Sequence, residues 1–504
     1  MALDDVSPHD VRDTRSQAYL LDPRPRGVGN AIGHALKALS DEWIDPTASS
    51  RGQALLSEIF HANGWSTEEG FSNIPIDDPT FVTYAGLDSF LSLRLSQIFE
   101  PHLVERDLLT LERFDAEVSL VCARMRKVGL LVDLDYIEHD LIPYLTAREA
   151  EGRRQALDFG IENVHSTAQV ARALQALGWE PAEFTDTGKP KVDKAVLGSL
   201  AADGHPLAEA VMLAKQSSKF LSAYAHNLLD FADSDGRVHP EIRSTGAVSG
   251  RMSVARPAVQ QMPSNGPEAW RLRRPFLAGP GRVFGSTDLE QVELRILGGL
   301  AGERSLIEAI TAGEDPYSTI AEELFGPDFT PSDRKLGKMV SLARVFGGGA
   351  STIARNGGIS VDSAADVIRR YDSRFPRIRS YSRRLQDRAS LSREITTVTG
   401  RRIPEEADSI YRCTNHHIQS VASDWIKSSL LRVVEAGLEP GHDIALVIHD
   451  EILWTSTPED FEARALTVRS CMEGTFEEMP ISTDTTFVGP DWSGPYRPDP
   501  GGNS

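Results

Sequence analysis

Cysteine is scarce: Cys122, Cys413 and Cys471 are the three in 504 residues. They are too scattered for a disulfide framework or a zinc site. Long apolar runs are missing as well. No stretch of about 18 apolar residues occurs, which excludes a spanning helix. The opening residues Met1-Ala2-Leu3-Asp4-Asp5 are acidic and have neither a basic nor an apolar signal region. Internal repeats and low-complexity tracts are absent. Positive charge is in deficit, with 53 Lys and Arg against 73 Asp and Glu and a net charge of −20. Together these absences suit a reducing cytoplasm without a membrane. The net charge by itself argues against a polyanionic partner.

The charge is unevenly spread, however. Eleven arginines fall between Arg369 and Arg402, opposed within that span by Asp372, Asp387 and Glu394. Arg243, Arg251, Arg256, Arg271, Arg273, Arg274 and Arg282 form a second basic set. Two segments could therefore follow a phosphate backbone, although a charge run is more often a solvated helix face.

The length suggests three or four domains, at about 100–200 residues each. Residues 1–108 mix short helical stretches with Pro and Gly breaks. Residues 109–235 read mostly helical, interrupted by a turn-rich loop at 185–191. Residues 236–300 read as strands and turns leading into a helix, and 301–395 as helical. Residues 396–504 are mixed and end in a Pro- and Gly-rich tail after Trp492, expected to be poorly ordered.

Three segments carry chemistry. In Ile444–Trp454 an apolar run meets His449-Asp450-Glu451 and then resumes, which predicts a hairpin with acids at its turn. Carboxylates placed there are costly unless a cation compensates them, and Mg²⁺ suits such oxygen donors. The plain alternative is a solvated turn. In Val283–Arg295 a short strand ends at Asp288, before a helix with Leu294, Leu297 and Leu300 on one stripe. Asp288 is either a site residue or a helix cap. Two such carboxylates could hold two metals about 3.5–4 Å apart, but Asp288 and Asp450 are 162 positions apart and spacing does not bring them together. The third segment, Arg334–Phe346, predicts a helix ended by Gly347. Arg334, Lys338, Leu342 and Phe346 recur every four residues, two cations followed by an apolar and an aromatic residue. That order suits a nucleotide lying along the helix, or simply a solvated basic helix end.

Taken in order, these segments resemble family A DNA polymerases. Asp288-Leu289-Glu290-Gln291-Val292-Glu293-Leu294-Arg295 is similar to the first catalytic motif, and His449-Asp450-Glu451 to the second. Arg334, Lys338 and Phe346-Gly347 are similar to the nucleotide-binding finger helix. Ser249-Gly250-Arg251-Met252-Ser253 with Pro257–Pro263, including Gln260 and Gln261, resembles the segment touching primer–template. Asn415-His416-His417-Ile418-Gln419 with Ala422 and Asp424 resembles the template-side helix; Gly400-Arg401-Arg402 and Met125–Gly129 fit as well.

The resemblance implies a multidomain α/β fold, a right hand. It would have a thumb with its lead-in helices in 109–235, a palm in 236–300 and 431–504, and fingers in 301–430. It implies templated addition of dNTPs to primer–template DNA with two Mg²⁺ ions, for which Mn²⁺ could substitute. Asp288, the Leu289 carbonyl, Asp450 and Glu451 would hold the metals. Arg334, Lys338, Leu342, Phe346, Tyr317, Gln291 and Glu293 would surround the dNTP, Glu293 excluding a ribose hydroxyl. Arg251, Gln260, Gln261, Asn415, Gln419, His449 and Arg412 would contact DNA. The pattern also departs from the family. Leu342 stands where an aromatic residue is usual, Phe346 where tyrosine is common, Tyr317 where histidine is frequent, and Tyr411 where arginine is, with Arg412 beside it.

Tyr84 and Asp88 resemble the last motif of a 3′–5′ proofreading exonuclease. The earlier acidic motifs would precede Met1, so residues 1–108 are expected to be a partial exonuclease-like domain, inactive alone. A separate upstream exonuclease polypeptide or replisome proteins would then be partners. Three other readings stay open: a single-subunit RNA polymerase, a nuclease and a non-catalytic DNA-binding remnant.

Overall fold

The computed structural model describes residues 6, 11–28, 30–185, 187–346 and 348–498, without the side chains of Arg51, Val345 and Phe346. The N-terminal region is helical. Helix α1 (Thr14–Leu21) packs on α2 (Pro79–Glu105), a 27-residue helix. The sequence reading expected only short helices here. The long one forms because Asp78 caps it, accepting from the amides of Thr80 and Phe81, and Pro79 starts it. Leu91, Leu95, Phe99 and Leu103 then recur every four residues as a buried stripe. That stripe outweighs the internal Pro101.

Helix α3 (Leu109–Val128) enters the main core through Val118, Val121, Cys122 and Met125. An antiparallel pair, α4 (Ile142–Leu157) and α5 (Pro206–Phe220), stands beyond it. Gly152 lets the two backbones approach, since a β-carbon there would meet the Ala214 amide at 2.6 Å.

The centre is a four-stranded antiparallel sheet. Its strands are β1 (Val283–Leu289), β2 (Ile444–Ile448), β3 (Glu451–Ser456) and β4 (Thr483–Gly489), in the order β4-β1-β3-β2. Both faces are covered. Ile452 and Trp454 point into the core shared with α3, α6 (Val292–Ala301), α10 (Cys413–Glu435) and α11 (Phe461–Met472). Phe284, Leu453 and Val488 point into a second core with Tyr224, Phe276 and Trp492. Alternation with period two makes this division, so residue parity decides which side a strand residue serves.

Helices α7 (Pro316–Phe325), α8 (Pro331–Phe346) and α9 (Pro376–Ser392) form the layer beside α6. The expected loose tail after Trp492 is, as far as Arg497, tied to the fold. Trp492 is buried, the Arg273 guanidinium lies 4.1 Å from the ring centres of both Trp492 and Tyr496, and Arg497 pairs with Asp491 at 2.8 Å. The last six residues, 499–504, lie outside the described residues. No helix among the described residues is long and apolar enough to cross a membrane.

Candidate active site

The hairpin of β2 and β3 turns at His449-Asp450, with His449 in the left-handed region at φ 57°. Strand β3 pairs with β1 so that Glu451 stands opposite Asp288, and the Leu289 amide donates to the Asp450 carbonyl at 3.1 Å. Sheet register thus closes the 162-residue gap. Gln291, rather than Asp288, occupies the N-cap position of α6. Asp288 therefore has no capping duty and faces the acidic end of the sheet.

Directly opposed residues share a face. Asp288 is opposite Glu451 on one side and Asp484 of β4 on the other. Asp484 was not singled out in the sequence. The signal available was an acid inside a β-forming run, Thr483–Val488, and only its register gives that acid meaning. Desolvation by the surrounding protein, then repulsion from Asp450, Glu451, Asp484 and Glu290, pushes the Asp288 carboxyl up to about 8. The Asp288 side chain nevertheless remains exposed at this end of the sheet, with an acid on either side. Burial also raises Asp450 and Glu451, and the Ser286 hydroxyl opposes this at Glu451 by donating to it at 2.5 Å.

A cluster this rich in uncompensated negative charge suits a hard divalent cation. Asp288, Asp450, Glu451 and the Leu289 carbonyl are donors of the right kind. Among the described residues no group of three or more ligating side chains forms a ready cage.

Glu293, in the first turn of α6, is ion-paired with Arg251, while burial raises its pKa. The Arg295 guanidinium donates to the side chains of Gln291 and Glu290, each at 3.3 Å, and to the Pro480 carbonyl at 2.8 Å, which fixes the turn after Asp288. Gln260 reaches the Val447 carbonyl at 3.5 Å; Gln261 is exposed.

Helix α8 packs on α6 and α7. Tyr317 of α7 is buried beneath it, with the Arg334 guanidinium 5.9 Å and the Lys338 ammonium 5.4 Å from its ring centre. Asp315 holds Arg334 at 2.9 Å, Lys338 is exposed and Leu342 is half-buried. The helix extends to Phe346, but the Phe346 side chain and Gly347 lie outside the described residues. Asn415 and Gln419 are one turn apart on α10, and the Asn415 Oδ1 is buried without a hydrogen-bond partner among the described residues. Arg412, just before α10, is exposed against Tyr411.

Part of each basic tract is ion-paired within the protein. Arg369 and Arg370 pair with Asp366, Arg374 with Glu323, Arg379 with Asp372 and Arg402 with Glu394. Arg401 is fully buried. In the second set Arg273 is buried, Arg274 pairs with Asp133 and Asp491, and Arg282 with Asp443. Nearby acids pair Arg369, Arg370, Arg379, Arg402 and Arg243, and acids distant in sequence pair Arg374, Arg401, Arg251, Arg274 and Arg282. Arg383, Arg384, Arg388 and Arg393 have no ion pair among the described residues. Tyr84 and Asp88 lie apart from the sheet cluster, on α2, where the Lys37 ammonium pairs with Asp88 and sits 4.4 Å from the centre of the Tyr84 ring.

The model of the family described as "DNA polymerase family A" matches residues 145–494. The DNA polymerase of Mycobacterium phage D29 is 32% identical over 494 residues, covering 97% of this chain and 80% of the relative. That of phage L5 is 30% identical over 489 residues, with the same coverage. Thermostable DNA polymerase I of Thermus aquaticus is 27% identical over 499 residues, covering 94% of this chain and 54% of the relative. Among solved structures, the POL domain of Pol1 from M. smegmatis, in complex with DNA primer-template and dNTP, superposes with a TM-score of 0.78. It is 24% identical and covers 96% of this chain and 82% of that one. With its family model spanning residues 145–494 and a phage polymerase matched over 80% of its length, this chain belongs to the family A DNA polymerases, DNA-directed nucleotidyltransferases.

Proposed function

We infer that this chain replicates DNA by adding dNTPs to the 3′ end of a primer, with Asp288 and Asp450 at the reaction centre. The observation carrying this reading is the register that sets Asp288 against Glu451, and Leu289 against Asp450, at the sheet end from which α6 follows, with α8 packed on α6. Asp288, Asp450, Glu451 and the Leu289 carbonyl would hold divalent ions. When bound, these supply charge neutralisation at the triphosphate and a more acidic primer hydroxyl. Arg334 and Lys338 offer their cations to the phosphates. Buried Tyr317 keeps both on one face of α8. Leu342 presents an apolar surface to sugar or base, and Glu293 narrows the space at C2′ of the sugar. Asn415, with its unpartnered buried acceptor, Gln419, His449, Arg251, Gln260, Gln261 and Arg412 form the DNA-facing set. In this reading residues 236–300 and 431–504 are the palm, 301–430 the fingers and 109–235 the thumb with its lead-in helices.

Residues 1–108 serve as a structural support rather than a proofreading centre. Lys37 already neutralises Asp88, the position where an exonuclease needs a metal-binding carboxylate.

One set of reactions tests both statements. A recessed primer is incubated with Mg²⁺ and wild type or Asp450→Asn, with and without dNTPs. Wild type should extend the primer, and Asp450→Asn should lose at least about a hundredfold in rate. Without dNTPs the primer should keep its length. Equal extension by the two proteins would remove Asp450 from the centre. Metal-dependent shortening that disappears in Asp88→Ala would overturn the supporting role of 1–108.

A further inference from the structure

A group of two acidic and two basic side chains lies in the interior, outside the reaction centre described above. Asp115 of α3, Arg401 of the turn between strands Glu394–Thr396 and Arg402–Pro404, and Asp424 and Lys427 of α10 are each less than 5% exposed. Arg401 grips Asp115 with two nitrogens at 2.9 and 3.2 Å and Asp424 at 2.8 Å. Lys427 reaches Asp115 at 3.0 Å, and the Thr399 hydroxyl donates to Asp424 at 2.6 Å. Burial works against the charge on Asp115, but Arg401 and Lys427 outweigh it and hold its carboxyl below the usual range. Two cations and two anions balance, yet packed apolar residues usually do as well or better for stability alone. The cluster calls for another reason.

Its upper surface supplies one. Residues 245–251 lie across it. The Tyr19 ring centre is 5.7 Å from the Arg401 guanidinium, and the Tyr19 hydroxyl donates to the Ala247 and Val248 carbonyls at 2.8 and 3.0 Å. The Ser423 hydroxyl, one residue from Asp424, donates to the Gly250 carbonyl at 2.8 Å. Gly250 itself rests on Arg401: a β-carbon there would meet Nε at 2.9 Å, and its φ of +83° suits glycine. The next residue is Arg251, whose guanidinium pairs with Glu293.

We propose that Arg401, held by Asp115 and Asp424 while Lys427 braces Asp115, is a positioning residue that sets the Gly250 backbone and so aims Arg251 at the primer end. Segments from α1, α3, the 394–404 hairpin and α10 thereby converge on one loop. The planar, bidentate geometry explains the use of arginine, because lysine cannot make the fork that grips Asp115 and Asp424 together. This rests on the reading of Arg251 as a primer-end contact beside Glu293.

A double-mutant cycle tests it, using the full chain with Arg401→Lys, Ser423→Ala and Arg251→Ala, alone and combined. Each protein is checked for folding by thermal melting, then read by kcat/KM for extension and by binding of a labelled primer–template. Arg401→Lys should lower kcat/KM by on the order of tenfold to a hundredfold, mainly through weaker primer–template engagement. In the Arg251→Ala background the same change should cost about twofold or less, since the arginine it aims is gone. Ser423→Ala removes only the bond to Gly250 and should show the same dependence with a smaller loss, which keeps the test intact if Arg401→Lys fails to fold. Losses that multiply undiminished in the Arg251→Ala background, or no loss in either folded variant, would overturn the proposal. If wild type binds primer–template but extends nothing, the reading of the reaction centre fails instead, and the binding cycle still decides this one.

Discussion

Asp288 is crowded by carboxylates that it cannot escape, because the sheet register fixes their positions. Its folded pKa lies above its unfolded one, so the sign of the pH effect is set. The contribution of this group to metal-free stability is intact below about pH 4 and is lost as pH rises toward about 8. The melting temperature of the EDTA-treated protein should fall across that window. Asp288→Asn should flatten the fall, and Mg²⁺ should do the same for wild type by compensating the charge. Identical pH profiles for wild type and variant would show that the repulsion has been misread. At Glu293 the expected change is in substrate choice. Glu293→Ala should relax discrimination against rNTPs by on the order of tenfold to a hundredfold, measured as the ratio of kcat/KM values. An unchanged ratio would assign sugar selection to another residue.

Among the elements, β1 and β3 form the joint that determines whether a site exists. Gly285 of β1 lies under the ring of fully buried Trp454 of β3, and a β-carbon there would meet that ring at 2.3 Å. The Trp454 indole also donates to Thr287 at 3.0 Å, locking the register three residues from the acids. Gly285→Val should therefore cost about 1–3 kcal/mol by overpacking, read from the denaturant midpoint. A variant as stable as wild type would mean that the joint is slack. Much of this element was readable in advance. The apolar run broken by His449-Asp450-Glu451 predicts the hairpin, and the four-residue recurrence of Arg334, Lys338 and Leu342 predicts the helix. The 27-residue α2 was less legible, because Pro101 and the apolar residues on its exposed face, such as Val82, Phe90 and Leu93, obscure the stripe that its neighbours bury.

For the whole molecule, charge distribution decides how DNA can bind a protein of net charge −20. Ion pairs engage six of the eleven arginines in the first tract, and Arg377, Arg383, Arg384, Arg388 and Arg393 have none among the described residues. Primer–template affinity should still fall as salt rises, because phosphate contacts release counterions. If Arg384 and Arg388 face the phosphates, replacing both with alanine should reduce the log–log salt slope by about one unit each. A slope unchanged in the double variant would place the DNA on another face.

The sequence by itself determined the local chemistry of this protein: an acid at the end of one strand, acids at the turn of a hairpin, and cations spaced along one helix face. Periodicity and turn propensity act over a few residues, so such features can be read without a fold. Tertiary structure alone decided that Asp288 meets Glu451 and Asp484, that Lys37 covers Asp88, and that Arg401 belongs to the interior rather than to a DNA-facing tract. Each of those outcomes depends on sheet register or on a partner far along the chain, and electrostatic pairing depends on distance in space, which sequence separation does not specify.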